Sequence, residues 1–156
     1  MIRERIGPAL GKIASGLYVA TARLNGVPIG MLCSFVEQAG FEPPMISIAL
    51  APERPLAAAL ADRGVFGLHI LSKENNALLK AFARGDNPAA FSEFAQVENE
   101  HGVPQFSDAW AFLACRVVGK VAAGDHVVHI AEVLDGVLQH EGQEPHIRIR
   151  ANGFGY

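Results

Sequence analysis

The fold class predicted for this chain is mainly β, an antiparallel barrel or sandwich with a few peripheral helices. Three observations carry that reading. Seven short segments have strand-like apolar patterning, hairpin-type turns such as Asn25-Gly26 connect them, and helical periodicity is confined to three stretches. Strand and helix do not alternate regularly, which disfavours a doubly wound nucleotide fold.

The elements follow in chain order. Ile2, Ile6, Leu10 and Ile13 recur at helical spacing over residues 2–14, with Pro8 weakening the first turn. Residues 16–24 and 27–38 read as two strands around Asn25-Gly26, since both turn residues tolerate positive φ. Residues 45–50 (MISIAL) form the next strand. Residues 55–64 form a helix with Pro55 at its first position and Gly64 closing it. Strand 65–71 places Phe66, Leu68 and Ile70 on one face, and a helix over 73–83 follows the candidate N-cap Ser72. Residues 84–109 read as loop. Two long strands, 111–121 and 126–138, flank residues 122–125 (AAGD), and 144–150 (EPHIRIR) is a last short strand.

Composition bounds the function. The 156 residues suit one domain spanning 1–156, and half are hydrophobic while 19% are charged, so a well-packed globular protein is expected. So apolar a composition in so short a chain is consistent with a buried subunit interface. The net charge of −3 and the lack of any Lys/Arg cluster argue against a nucleic-acid groove. Cys33 and Cys115 form no CxxC pair, which fits a reducing cytoplasm. No signal-peptide pattern and no apolar run of membrane-spanning length is present, so a cytoplasmic protein without membrane association is expected.

Several motifs lead nowhere. Gly7 to Lys12 has glycines and a lysine but the wrong spacing for a phosphate loop, and no strand precedes it. His126 and His129 stand three apart on a strand and therefore point to opposite faces; no further ligands of suitable spacing accompany them, so no metal is expected. A GxSxG elbow is missing and neither cysteine has an obvious neighbouring base, which leaves nucleophilic hydrolysis without support.

Two features remain. Pro43 and Pro44 lack N–H donors and cannot sit inside a central ladder, so 38–44 reads as a rigid crossover between strand 28–37 and strand 45–50. Gly40 there permits close approach of a backbone or a flat ligand. Arg54 precedes a helix start, where a cation and free N–H groups together could hold an anion.

The segments SGLYVATA (15–22), GMLCSFVEQAGFEPP (30–44), ERP (53–55), GDH (124–126), EVLDG (132–136) and NGFGY (152–156) together resemble the flavin reductase-like family with the FMN-binding split barrel. The resemblance implies a six-stranded antiparallel Greek-key barrel, usually a homodimer, with FMN or FAD near the interface. It further implies reduction of flavin by NADH or NADPH, and a partner, such as a monooxygenase, that takes reduced flavin or electrons. By position, Met31, Leu32, Cys33 and Ser34 would line the flavin ring and ribityl chain. Gln38, Ala39, Gly40 and Phe41 would wrap the ribityl-phosphate side, with Arg54 at the phosphate and Phe82 to Arg84 closing it. His126 would lie at the nicotinamide face as the candidate catalytic residue. The same pocket would equally serve a flavin-binding electron carrier or sensor that turns over NAD(P)H inefficiently.

Overall fold

A computed structural model describes residues 1–61 and 64–156. Its helices are α1 (Ile2–Leu10), α2 (Pro55–Ala59), α3 (Asn76–Phe82) and α4 (Ala90–Glu93). Its strands are β1 (Ser15–Gly16), β2 (Tyr18–Leu24), β3 (Val27–Cys33), β4 (Val36–Phe41), β5 (Pro44–Leu50), β6 (Val65–Ile70), β7 (Ala111–Ala123), β8 (His126–Leu138) and β9 (Ile147–Arg148). Seven strands form one antiparallel sheet in the order β3-β2-β6-β7-β8-β5-β4, and β1 pairs with β9 apart from it. The mainly β, antiparallel expectation is met.

The six-strand expectation is corrected to seven, because the strand predicted over 27–38 breaks at Ser34-Phe35. Its first half pairs with β2 and its second half with β5, at opposite ends of the sheet. A flat seven-stranded sheet would hold its two edges roughly 29 Å apart at the usual strand spacing. Ser34 and Phe35 can span at most about 11 Å between Cys33 and Val36. The sheet must therefore curl until its first and last strands meet at this corner. Bulges assist the bending, since Val118, Leu134 and Ala39 each fall at register shifts within the β7–β8 and β4–β5 pairs.

Local chemistry accounts for the turns. Asn25 (φ 51°) and Gly26 (φ 79°) make the two-residue hairpin between β2 and β3, as both must take positive φ. Gly124 (φ 65°) and Asp125 close the β7–β8 hairpin. The predicted crossover over 38–44 is instead the β4–β5 hairpin: residues 36–41 are strand, Glu42-Pro43 is the turn, and Pro44 opens β5 opposite Phe41. Pro44 is tolerated because β4 is an edge strand whose last pairing lies there.

Other boundaries shorten. The helix expected over 2–14 ends at Leu10, and that over 73–83 begins at Asn76, with Asn75 rather than Ser72 as its N-cap. The helix predicted over 55–64 spans only Pro55–Ala59, and positions 62 and 63 lie outside the described residues. The final strand shrinks to two exposed residues.

The two larger buried clusters lie one on each face of β2 and β6. Ala20, Phe66 and Leu68 point into the curled sheet against Ile46, Ile48, Leu50 and Cys115. On the outer face Val19 joins Leu17, Leu78, Phe82 and Phe106 beneath α3 and α4. Residues 84–109, expected to be loop, thus carry α4 and an aromatic cluster in which Phe106 lies 5.8 Å from Phe82 and 5.4 Å from Phe91 between ring centres. That cover explains why strand 65–71 is buried on both faces rather than one.

His69 ties the outer core to the sheet. Its Nδ1–H donates to the Val19 carbonyl (2.8 Å), and the Phe106 N–H donates to Nε2 (2.9 Å), a pairing only the neutral imidazole can make. Full burial pushes its pKa down to about 4, against 6.5 for a free histidine. The unfolded chain therefore binds a proton that the folded chain rejects, so stability is full above pH 6.5 and falls as pH drops toward 4. The loss is on the order of 3 kcal/mol. Urea denaturation midpoints measured between pH 7.5 and 4 should fall through this window, and the fall should shrink in His69→Gln; an unchanged pH slope would remove His69 as its source.

Candidate functional site

A cleft of about 400 Å³ opens beside the Ser34-Phe35 corner. The end of β3 supplies Met31, Leu32 and Cys33, and Ser34 follows in the link. Leu17, the C-terminal part of α3 through Leu79 and Phe82, and Arg84 just beyond that helix also line it. Gly30 makes the junction possible: a Cβ there would sit 2.5 Å from the Phe82 ring, and its N–H donates to Asp86 Oδ1 (2.9 Å), tying the α3 end to β3.

Among the described residues, Arg54, Arg84 and Arg148 are the charged ones lining the cleft, so a chain of net charge −3 presents a locally cationic pocket there. Arg54 is the most constrained. Its Nε is buried and has no hydrogen-bond partner among the described residues. A buried N–H donor left unpaired costs about 1–3 kcal/mol, more when charged, unless an acceptor arrives. The α2 helix that follows has only five residues, too short to contribute an anion site of its own.

Tyr156 closes the outer side of the cleft. Its ring lies 5.5 Å from Phe35 between centres, and its hydroxyl meets His126 Nε2. His126 Nδ1 donates to Asp125 Oδ1 (2.7 Å), which leaves Nε2 of the neutral ring as the acceptor. That hydrogen bond also holds the Asp125 carboxyl below its ordinary range, while burial raises the Tyr156 phenol against the opposing pull of the Arg54 cation. Burial pushes the Cys33 thiol up to about 12, so it is an inert wall.

The family profile of the flavin reductase like domain matches residues 10–152. The chain belongs to this family. A putative diflavin flavoprotein A 5 of Nostoc sp. is 35% identical over 153 residues, covering 95% of this chain but 26% of its own length. The chain thus spans about a quarter of such relatives. The reductase component of a 4-nitrophenol 4-monooxygenase/4-nitrocatechol 2-monooxygenase from Rhodococcus opacus is 34% identical over 128 residues, 81% of this chain and 67% of that protein. Among solved structures, the flavin reductase PheA2 in its native state superposes with a TM-score of 0.77 at 27% identity, covering 91% of this chain and 90% of that one.

The cleft of this flavin reductase-like domain brings together seven of the predicted positions: Met31, Leu32, Cys33, Ser34, Arg54, Phe82 and Arg84. Gln38, Ala39, Gly40 and Phe41 are not among its lining residues; they form the β4 edge, where Phe41 is 87% exposed. His126 stands one side chain behind the cleft, reaching it through Tyr156. His129, on β8, is buried. Leu17, Leu79, Arg148 and Tyr156 were not foreseen as lining residues; the segment 152–156 was conspicuous in sequence, but no local pattern says where it docks.

That docking rests on glycines. The Arg150 N–H donates to the Gly11 carbonyl (2.9 Å) and the Gly153 N–H to the Gly7 carbonyl (2.8 Å), so residues 150–153 lie against the end of α1. The glycines of the false phosphate loop serve this close approach. A Cβ on Gly11 would fall 2.5 Å from the Arg150 carbonyl oxygen, whereas one on Gly119 would meet open space. Gly11→Ala should therefore destabilise the protein by about 1–3 kcal/mol, with Gly119→Ala near neutral; equal denaturation midpoints for the two variants would contradict this packing.

Proposed function

We propose that the cleft binds FMN or FAD and that this chain is an NAD(P)H:flavin oxidoreductase, passing reduced flavin or electrons to a partner such as a monooxygenase. The carrying observation is the buried Arg54 Nε, without a hydrogen-bond partner among the described residues, beside an apolar wall, which fits a planar ring with an anionic tail. Arg54, with Arg84 or Arg148, would meet the phosphate, while Met31 to Ser34 present backbone and small side chains to the ring. A bound flavin supplies the hydride acceptor for a reduced nicotinamide.

The protein's own work is to position and to exclude water. No acid or base is required at the rings, in keeping with a thiol held neutral in the wall. His126 acts as a positioning residue on the nicotinamide side, oriented by Asp125 and joined to the cleft by Tyr156. Family membership and the two relatives described above support the activity, and the monooxygenase component supports an oxygenase as the electron acceptor.

A homodimer suits the surface. Ile2, Ile13, Phe41, Ile147 and Ile149 are large apolar residues left exposed on one chain. An interface over the β4 edge would place Gln38 to Phe41 at the flavin's phosphate side. The two cysteines are free and buried, and among the described residues no helix is long and apolar enough to cross a membrane; both suit the cytoplasm.

The test is anaerobic mixing of the flavin-loaded protein with NADH and NADPH separately. Rapid bleaching is expected with at least one; a yellow protein that neither bleaches would instead be a carrier. Arg54→Ala should weaken flavin binding about tenfold or more, measured by fluorescence titration. His126→Ala should raise the KM for the reductant while leaving flavin affinity in place; unchanged steady-state kinetics would remove it from the site.

A further inference from the structure

The connection between α4 and β7 carries a side-chain cluster that the cleft does not use. Glu100 and His101 of this connection meet Asp135 of β8, and one donor atom from each lies within 4.8 Å of the others. None of the three lines the cleft, and Asp135 stands nine positions along β8 from His126. Spacing in the sequence does not bring the set to notice, since it joins a loop to a distant strand.

The imidazole is the decisive member. His101 Nε2 is buried and has no hydrogen-bond partner among the described residues. Glu100 Oε1 lies 3.8 Å from it, beyond hydrogen-bond reach. A ring nitrogen kept from water without a partner costs free energy, which an ion accepting its lone pair would recover. The carboxylates of Glu100 and Asp135 bring two negative charges beside it, and among the described residues neither pairs with a lysine or arginine. Arg23 comes close, but its guanidinium donates to the carbonyls of Gly102 (2.9 Å) and Gly26 (3.3 Å).

The donors are held from behind. The Gly136 N–H donates to Asp135 Oδ1 (2.8 Å), which orients that carboxylate and leaves Oδ2 for a further partner. The His101 N–H donates to Asn99 Oδ1 (3.1 Å), and Asn99 Nδ2 donates to the Val103 carbonyl (2.8 Å). Thr21 Oγ1 donates to the Pro104 carbonyl (2.6 Å) and pins the segment onto β2. Donor atoms around a tetrahedral zinc ion lie roughly 3.3 Å apart. Glu100 and Asp135 are exposed and free to turn inward over the remaining distance, while His101 stays in place.

We propose that Glu100, His101 and Asp135 bind a divalent transition-metal ion of the zinc type, and that the ion fastens the 98–103 segment to β8. Two carboxylates balance the charge of the ion. The imidazole favours zinc and its neighbours over magnesium and calcium, which take oxygen donors. Water completes the coordination on the exposed side.

The test is calorimetric titration of zinc chloride into the chelator-stripped full chain. One equivalent should bind, and millimolar magnesium should not compete. His101→Gln, Glu100→Gln and Asp135→Asn should each weaken binding about tenfold or more, whereas His146→Ala, outside the cluster, should leave it unchanged. Circular dichroism checks the fold of each variant, and the two exposed carboxylate positions keep the test open if His101→Gln fails to fold. Zinc should raise the thermal midpoint of the wild type and not that of Asp135→Asn. Zinc that does not bind at micromolar concentration would overturn the proposal. So would an affinity unchanged in all three variants, which would assign the ion to adventitious surface histidines. Binding that depends on the three residues but leaves the wild-type midpoint unmoved would overturn the fastening role.

Discussion

Two residues, Ser34 and Phe35, carry the chain from one edge of a seven-stranded sheet to the other. Because so short a link cannot bridge the width of a flat sheet, curling is obligatory, and the position of the corner follows from it. The end of β3 then borders the cleft beside the link. Cys33 and Ser34 are buried there, and Phe35 becomes the ring on which both His126 and Tyr156 pack. The inner core, the cleft wall and the Phe35 contacts with His126 and Tyr156 all descend from this one change of partner strand.

The rest of the site is assembled by layers pressed against that corner from outside. Phe82 can lie on β3 because Gly30 has no side chain, and the aromatic cluster around Phe106 holds α3 in place. Residues 148–156 reach the cleft because β9 pairs with β1 and because Gly7 and Gly11 let the backbone pass close to α1. Each contact is a close approach rather than a strong bond, so the cleft depends on packing. Its charge arises the same way, from arginines at positions 54, 84 and 148 that are distant in the chain and convergent in space.

Much of this was legible beforehand. Strand patterning and the Asn25-Gly26 turn are local properties, and they were sufficient for the antiparallel class and most strand positions. The double proline marks the β4–β5 hairpin turn and the first residue of β5, beyond that strand's pairing with β8, and not a crossover. Proline reports that a donor is missing; it does not report which strand lies alongside. Residues 84–109 looked like loop because their phenylalanines have no periodicity, and only contact among Phe82, Phe91 and Phe106 gives them a core role. Met31 to Ser34, Arg54, Phe82 and Arg84 were named through resemblance and do share a cleft. Gln38 to Phe41 were named with them and lie along the β4 edge.

Sequence alone determined the mainly β class, the hairpin at Asn25-Gly26, a connection within residues 122–125, and the family, since each rests on residue types at fixed short spacing. Tertiary structure alone decided where the long strand breaks, why β6 is buried on both faces, and that Tyr156 joins His126 to the cleft. It also decided that Leu17, Arg54 and Tyr156 share one cleft. The physical reason is common to these: backbone preference and side-chain period act over a few residues, while curling and close packing bring together positions more than a hundred apart.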